Sequence, residues 1–378
     1  MLTHSFRLSS RAVLSLALAI AACEAPAPET GEPAAAGTSG TEFVVDASWP
    51  KPLPANWIFG QISGVAVDSR DQVWVVHRRS SLVASDTAAL EQPPRSECCT
   101  PAPAVVAFDQ EGNVVRSWGG TGGDLRWPRS EHGIYVDATD HVWLAGSSPD
   151  AHVVRKFTLD GQLVLEIGVW GETGGSADTV RLGLPADVTV DVEAREVYVA
   201  DGYGNRRVIV FDSETGAYKR HWGAYGKAPS DEPLPAYDPA SPPLESFRSP
   251  MHTVVIARDG LVYTADRAND RIQVFRKSGE YVTEAFVAPE TRIMGSVWDL
   301  EFSPDAEQTY LYVPDGANRK VWILTRKDLA VVGSFGRPGR MAGQFDWVHN
   351  IAGDSRGNLY TGEVNTGNRV QRWVPALR

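Results

Sequence analysis

Gly133-Ile-Tyr-Val-Asp137, a short polar turn, then Val142-Trp-Leu-Ala145 reads as two brief strands meeting at a tight hairpin. The phrase occurs six times. It stands first as Gly64-Val-Ala-Val-Asp68 with Val73-Trp-Val-Val76. After the quoted copy come Asp187-Val-Thr-Val-Asp191 with Val197-Tyr-Val-Ala200, and Thr253-Val-Val-Ile256 with Leu261-Val-Tyr-Thr264. Asp299-Leu-Glu-Phe302 with Tyr310-Leu-Tyr-Val313, and Asn350-Ile-Ala-Gly-Asp354 with Asn358-Leu-Tyr-Thr361, close the series. Most copies run on into a third apolar strand, such as Arg207-Val-Ile-Val-Phe211, and a fourth, such as Val114-Val-Arg-Ser-Trp118. Four short strands per unit make a propeller blade.

Six units predict an all-β fold, a six-bladed β-propeller over residues 43–375. The last unit ends after three strands, while Phe43-Val-Val-Asp46 precedes the first. That spare N-terminal strand is expected to complete the last blade, closing the ring and leaving no open edge there. Two Pro-rich insertions, 79–103 and 224–249, break the period. Strands alternate in direction, so both insertions fall on the face where each innermost strand begins.

The 378 residues carry 36 basic and 47 acidic side chains, a net charge of −11. No clustered basic surface is present to neutralise phosphates, which excludes nucleic acid as a partner. Residues 1–22 read as an export signal: Arg7 and Arg11, an apolar run Ala12–Ile20, then Ala21-Ala22-Cys23. Cys23 is the expected lipidation site of a bacterial lipoprotein, and removal of the signal takes the charge to −13, two basic residues fewer. Residues 23–42 lack the apolar content to bury a core and read as a flexible tether. The expectation is a monomer at the cell envelope, outer membrane favoured, touching the membrane only through its lipid. Cys98 and Cys99 are adjacent and suit a loop-stiffening disulfide.

Aligning the residue ahead of each inner strand gives Ser63, His132, Ala186, His252, Trp298 and His349. Histidine occupies alternate blades, so three imidazoles should converge about 120° apart around the axis of a six-fold ring. Three neutral imidazoles with an open fourth position suit Zn²⁺. His4, His77, His141, His152 and His221 share no such register and read as surface or turn residues, although His77 is close to a candidate site.

On these residues the chain resembles the NHL-repeat propellers, and more narrowly the peptidyl-α-hydroxyglycine α-amidating lyases, from about Ser63 to Trp373. The resemblance implies a zinc held by His132, His252 and His349 in the channel. Val76-His77-Arg78 is similar to the family segment with the catalytic Arg, implying Arg78; Asp201-Gly202-Tyr203-Gly204-Asn205-Arg206 implies Tyr203 as the catalytic Tyr. It also implies a structural Ca²⁺ on the carbonyls of Val65 and Ile134, with Asn350 where the family has Asp. Trp347 replaces a family Met, and Gly204 a family Cys. An Arg fork suits a substrate carboxylate, and a Tyr beside a divalent cation suits a general base. The implied function is C–N cleavage of a carbinolamide, from a small-molecule or peptide substrate. The alternative is a non-catalytic envelope propeller binding protein or carbohydrate through its loop face.

Overall fold

The computed structural model describes residues 42–120 and 125–376. The expected signal segment, nearly all of the tether and Cys23 lie outside them. Six four-stranded antiparallel sheets follow one another around an axis. Blade 1 runs Gln61–Val67, Val73–Arg78, Val105–Phe108 and Val114–Trp118, from axis to rim. The inner strands of the other blades are Glu131–Val136, Asp187–Asp191, Met251–Ile256, Glu301–Phe302 and Val348–Gly353. Blade 6 takes its outer strand from Phe43–Asp46, with Phe43 opposite Pro375 and Val45 opposite Trp373. N- and C-terminal strands thus share one sheet, which closes the ring as the strand count requires.

The recurring Asp after the inner strand explains the hairpin. Asp68 Oδ1 accepts the backbone N–H of Arg70 and Gln72, and its Oδ2 accepts Trp74 Nε1 at 2.9 Å. Asp137 repeats this with Thr139, His141 and Trp143, and Asp354 with Arg356, Asn358 and Tyr360. One carboxylate therefore satisfies the turn and fixes the large aromatic of the next strand. Between blades the apolar faces pack into buried clusters, for example Trp143, Ile167, Val188, Val199 and Phe211.

Two expectations change. Histidines 132, 252 and 349 lie inside their strands, as the second residue, where the ladder slips in register. A bulge leaves a residue unpaired and re-aims its side chain, here toward the axis. The inner strand of blade 5 is only Glu301–Phe302, shorter than the run from Asp299 suggests. Asp299 accounts for this locally: its carboxylate accepts the N–H of Leu300, taking that donor from the blade 5 ladder, and reaches across to the N–H of Ile351 in blade 6.

Candidate metal centre

The three histidines meet at one end of the channel. Their ring centroids lie 4.8 to 4.9 Å apart in all three pairs, a nearly equilateral triangle. All three are buried, with one ring nitrogen each within 4.8 Å of the others. The odd blades supply what the even blades lack. His132 Nδ1 donates to Ala186 O at 2.7 Å, and His252 Nδ1 donates to Trp298 O. His349 Nδ1 donates to Asn350 Oδ1, beside the carbonyl of Ser63. Ser63, Ala186 and Trp298 are the non-histidine members of the register read from the sequence. Each Nδ1–H is thereby engaged, so the Nε2 lone pairs point inward, the arrangement that outer hydrogen bonds impose on metal-binding imidazoles.

Burial, reinforced by neighbouring cations, holds these rings neutral. His132 and His252 are pushed well below the usual imidazole range by loss of hydration, with the other histidines and Arg267 adding to it. Burial, with Arg78 next, takes His349 to about 3. Neutral, pre-oriented, convergent nitrogens can hold a metal ion.

Tyr203 reaches this point. Its hydroxyl lies 3.0 Å from His132 Nε2 and 3.2 Å from His252 Nε2. A buried ion pair sets its loop: Asp201 Oδ2 accepts Arg207 Nε at 2.9 Å and Asn205 Nδ2 at 2.7 Å. Gly204 is needed there, because a Cβ would stand 2.7 Å from Gly183 O.

Arg78 ends the second strand of blade 1 on the same face. Its Nε donates to Glu131 O and its Nη1 to Gln61 Oε1, both at 3.0 Å. Nη2 has no protein acceptor among the described residues. His77, expected on the surface, is fully buried beneath it. Its Nδ1 accepts Gly60 N–H, and Nε2 donates to the carbonyls of Ala102 and Pro103 at 3.2 and 3.1 Å. His77 therefore ties the 79–103 insertion, with its Cys98–Cys99 disulfide, to the strand that presents Arg78. His152 is likewise buried, its Nδ1 accepting Leu184 N–H. Both changes have one cause: a neutral imidazole can accept and donate at once, which suits a buried loop junction.

Sequence reading missed Arg267. It follows the second strand of blade 4, is 6% exposed, and donates from Nη1 to Tyr203 OH at 3.3 Å. Its guanidinium stacks 4.3 Å from the Trp298 ring. Asp266, paired with Arg271 at 2.7 Å, holds this loop as Asp201 holds the loop of Tyr203. Aligning second-strand ends, and not only inner-strand starts, would have found it. Trp347 stands at the mouth, 5.7 Å from Trp298 and under the Arg319 guanidinium at 3.9 Å.

The expected calcium residues Val65, Ile134 and Asn350 line a separate cavity of about 220 Å³ at the other end of the channel, with Asp187, Asp299 and Glu301. Asn350 does not fit the ligand role expected of it. It is neutral, its Oδ1 is engaged by His349, and its Nδ2 donates toward Asp299 at 3.4 Å.

No family model matches the chain. NHL repeat-containing protein 3 of Homo sapiens is 26% identical over 352 residues, 88% of this chain and 84% of that protein. Peptidyl-glycine alpha-amidating monooxygenase B of Xenopus laevis is 25% identical over 88% of this chain, which spans 35% of that longer protein. Peptidyl-alpha-hydroxyglycine alpha-amidating lyase 2 of Drosophila melanogaster is 24% identical, covering 87% of this chain and 77% of that one. Among solved structures, a protein of unknown function from Bacteroides thetaiotaomicron superposes with a TM-score of 0.54 at 14% identity, over 89% of this chain and 72% of that one. The chain is a six-bladed propeller that resembles the NHL-repeat proteins and the amidating lyases.

Proposed function

We propose that the protein is a zinc-dependent lyase of the amidating-lyase type, cleaving the C–N bond of a carbinolamide that carries a carboxylate. The observation behind this reading is the convergence of three histidine nitrogens, with the Tyr203 hydroxyl against Nε2 of His132 and of His252 and hydrogen-bonded by Arg267, and with Arg78 on the same face. His132, His252 and His349 would hold the zinc, which when bound would supply Lewis acidity to the carbinol hydroxyl. Arg78 presents Nη2 to the carboxylate as a fixed fork. Arg267, pressed against Trp298, orients Tyr203 by its hydrogen bond. Tyr203 takes the hydroxyl proton. The O–H electron pair becomes the carbonyl of glyoxylate, the C–N pair leaves with nitrogen, and the proton held by Tyr203 passes to that nitrogen to complete the amide. Trp298 and Trp347 supply an apolar wall that keeps water from the cleaving bond. We place the chain at the cell envelope through Cys23, as a monomer acting on small-molecule or peptide substrates.

The test joins metal analysis to turnover. Protein purified without chelator should contain about one zinc per chain, convert benzoyl-α-hydroxyglycine to benzamide and glyoxylate, and lose both properties as His252→Ala. Absence of bound metal after zinc is added back, or zinc with no glyoxylate from any α-hydroxyglycine, overturns it.

A further inference from the structure

The 224–249 insertion encloses a cavity of about 320 Å³ against blade 4. That volume is at the lower end for small-ligand sites and accommodates one bulky side chain with its peptide unit. Tyr237, Pro239, Pro242, Phe286 and Pro289 make the apolar walls. Prolines have little backbone freedom left to lose when a ligand enters.

The walls are pinned to the propeller. Tyr237 OH donates to Pro289 O at 2.9 Å, and Arg271 donates from Nη1 to Leu244 O at 3.0 Å and from Nη2 to Ser246 O at 3.2 Å. Arg248 forms the polar wall. Its Nε donates to Asn269 Oδ1 at 3.0 Å and its Nη1 to Pro235 O at 2.8 Å, while Nη2 is shielded and has no acceptor. A shielded donor without a partner is costly, so an oxygen reaching it past the lining gains a bond that the empty pocket lacks.

The polar wall of the pocket is tied to the loops of the metal centre by two short links. Ser249, next to Arg248, donates from its hydroxyl to Tyr203 O at 2.7 Å. Asn269 belongs to the same turn as Arg267, Arg267–Asn269, and Arg248 N–H donates to Asp266 Oδ1 at 2.9 Å. The segments carrying the pocket's polar wall therefore abut those carrying Tyr203 and Arg267.

We propose that this pocket is a subsite for the body of an extended peptide substrate. A bulky apolar side chain enters between the prolines and Phe286, and a backbone carbonyl of the same peptide accepts from Arg248 Nη2. The end bearing the reacting carbinolamide lies at the three histidines, an assignment that rests on the lyase reading. The pocket then selects, among peptides, those with a bulky apolar residue upstream of the reacting end.

Ser241, exposed at the pocket wall, allows the cavity to be filled as Ser241→Trp without touching the core. Two substrates are compared: benzoyl-α-hydroxyglycine and an acetylated pentapeptide rich in Phe and Leu ending in α-hydroxyglycine. Ser241→Trp should raise KM for the pentapeptide about tenfold relative to KM for the short substrate, and Arg248→Met should act in the same direction. A KM ratio unchanged by both variants overturns the subsite. Binding of the unreactive pentapeptide amide, followed by fluorescence anisotropy, needs no turnover. Loss of that binding in Ser241→Trp supports the pocket even where neither substrate is cleaved, which would sink the lyase reading alone. Equal binding to wild type and Ser241→Trp overturns the pocket even where both substrates are cleaved.

Discussion

The two ends of the central channel are made from the same inner strands, and burial treats their side chains by opposite rules. At one end are His132, His252 and His349; at the other, Asp187, Asp299 and Glu301 line the second cavity. Neither Asp187, Asp299 nor Glu301 has a Lys or Arg within ion-pair distance among the described residues. Loss of hydration disfavours charge at both ends. The imidazoles give up their protons and offer lone pairs. The carboxyls hold theirs to higher pH: burial raises Asp299 to about 6 and Glu301 to about 8, and Asp187 well above its usual range. Desolvation, with like-charged neighbours adding to it, thus prepares a base set for a cation at one end and proton-holding carboxyls at the other.

The sharpest way to break this contrast is to compare one substitution from each end. His252→Ala should abolish bound metal, taking it from about one equivalent to none by mass spectrometry, while Asp299→Asn retains it. Metal lost in Asp299→Asn and kept in His252→Ala would move the site to the acidic end.

Next in size, Tyr203→Phe should keep the metal and lower kcat by about 10²- to 10⁴-fold. An unchanged kcat on the α-hydroxyglycine substrate would remove Tyr203 from the chemistry. A smaller effect is expected where the two ends touch, because Asn350 joins His349 to Asp299. Asn350→Leu should weaken metal binding by about 10- to 100-fold in chelator competition, and Asn350→Asp should restore most of it. Equal affinity in all three proteins would show that Ser63 O alone orients His349.

The least effect is a tilt of stability with pH. Glu301 has a raised folded value, near 8 against an ordinary 4.5, so the native state keeps a proton that the unfolded chain releases. Its contribution is complete below about 4.5 and is lost as pH rises through 8, at no more than about 1.4 kcal/mol per pH unit. His77 runs the other way: burial lowers it to about 4, so stability falls as pH drops from 6.5 through 4. Urea midpoints from pH 5 to 9 should therefore flatten on the alkaline side in Glu301→Gln. The slope of wild type persisting in that variant would assign it elsewhere.

Much of the centre was legible because its ligands occupy one register of a repeat. His132, His252 and His349 stand out against five other histidines only when blades are aligned at the inner-strand start. Arg267 stayed hidden because it belongs to a different register, at the loops that follow second strands. Glu301 and Asp299 read simply as polar members of an alternating strand. His77 and His152 look like turn residues; the 79–103 insertion folds over His77 and the segment at Leu184 over His152, which local pattern does not record.

The sequence by itself determined the blade count, the closing strand and the alternation of histidine around the ring. Those properties follow from periodicity, which repeats in the chain as it repeats in space. Tertiary structure decided which nitrogen of each histidine faces the axis, because the acceptors Ala186 O and Trp298 O come from the following blade. It also brought Tyr203 and Arg267 together from adjacent blades, and set Glu131 O and Gln61 around Arg78. Such contacts join residues up to 71 positions apart, as between His132 and Tyr203, and exist only once the ring has closed.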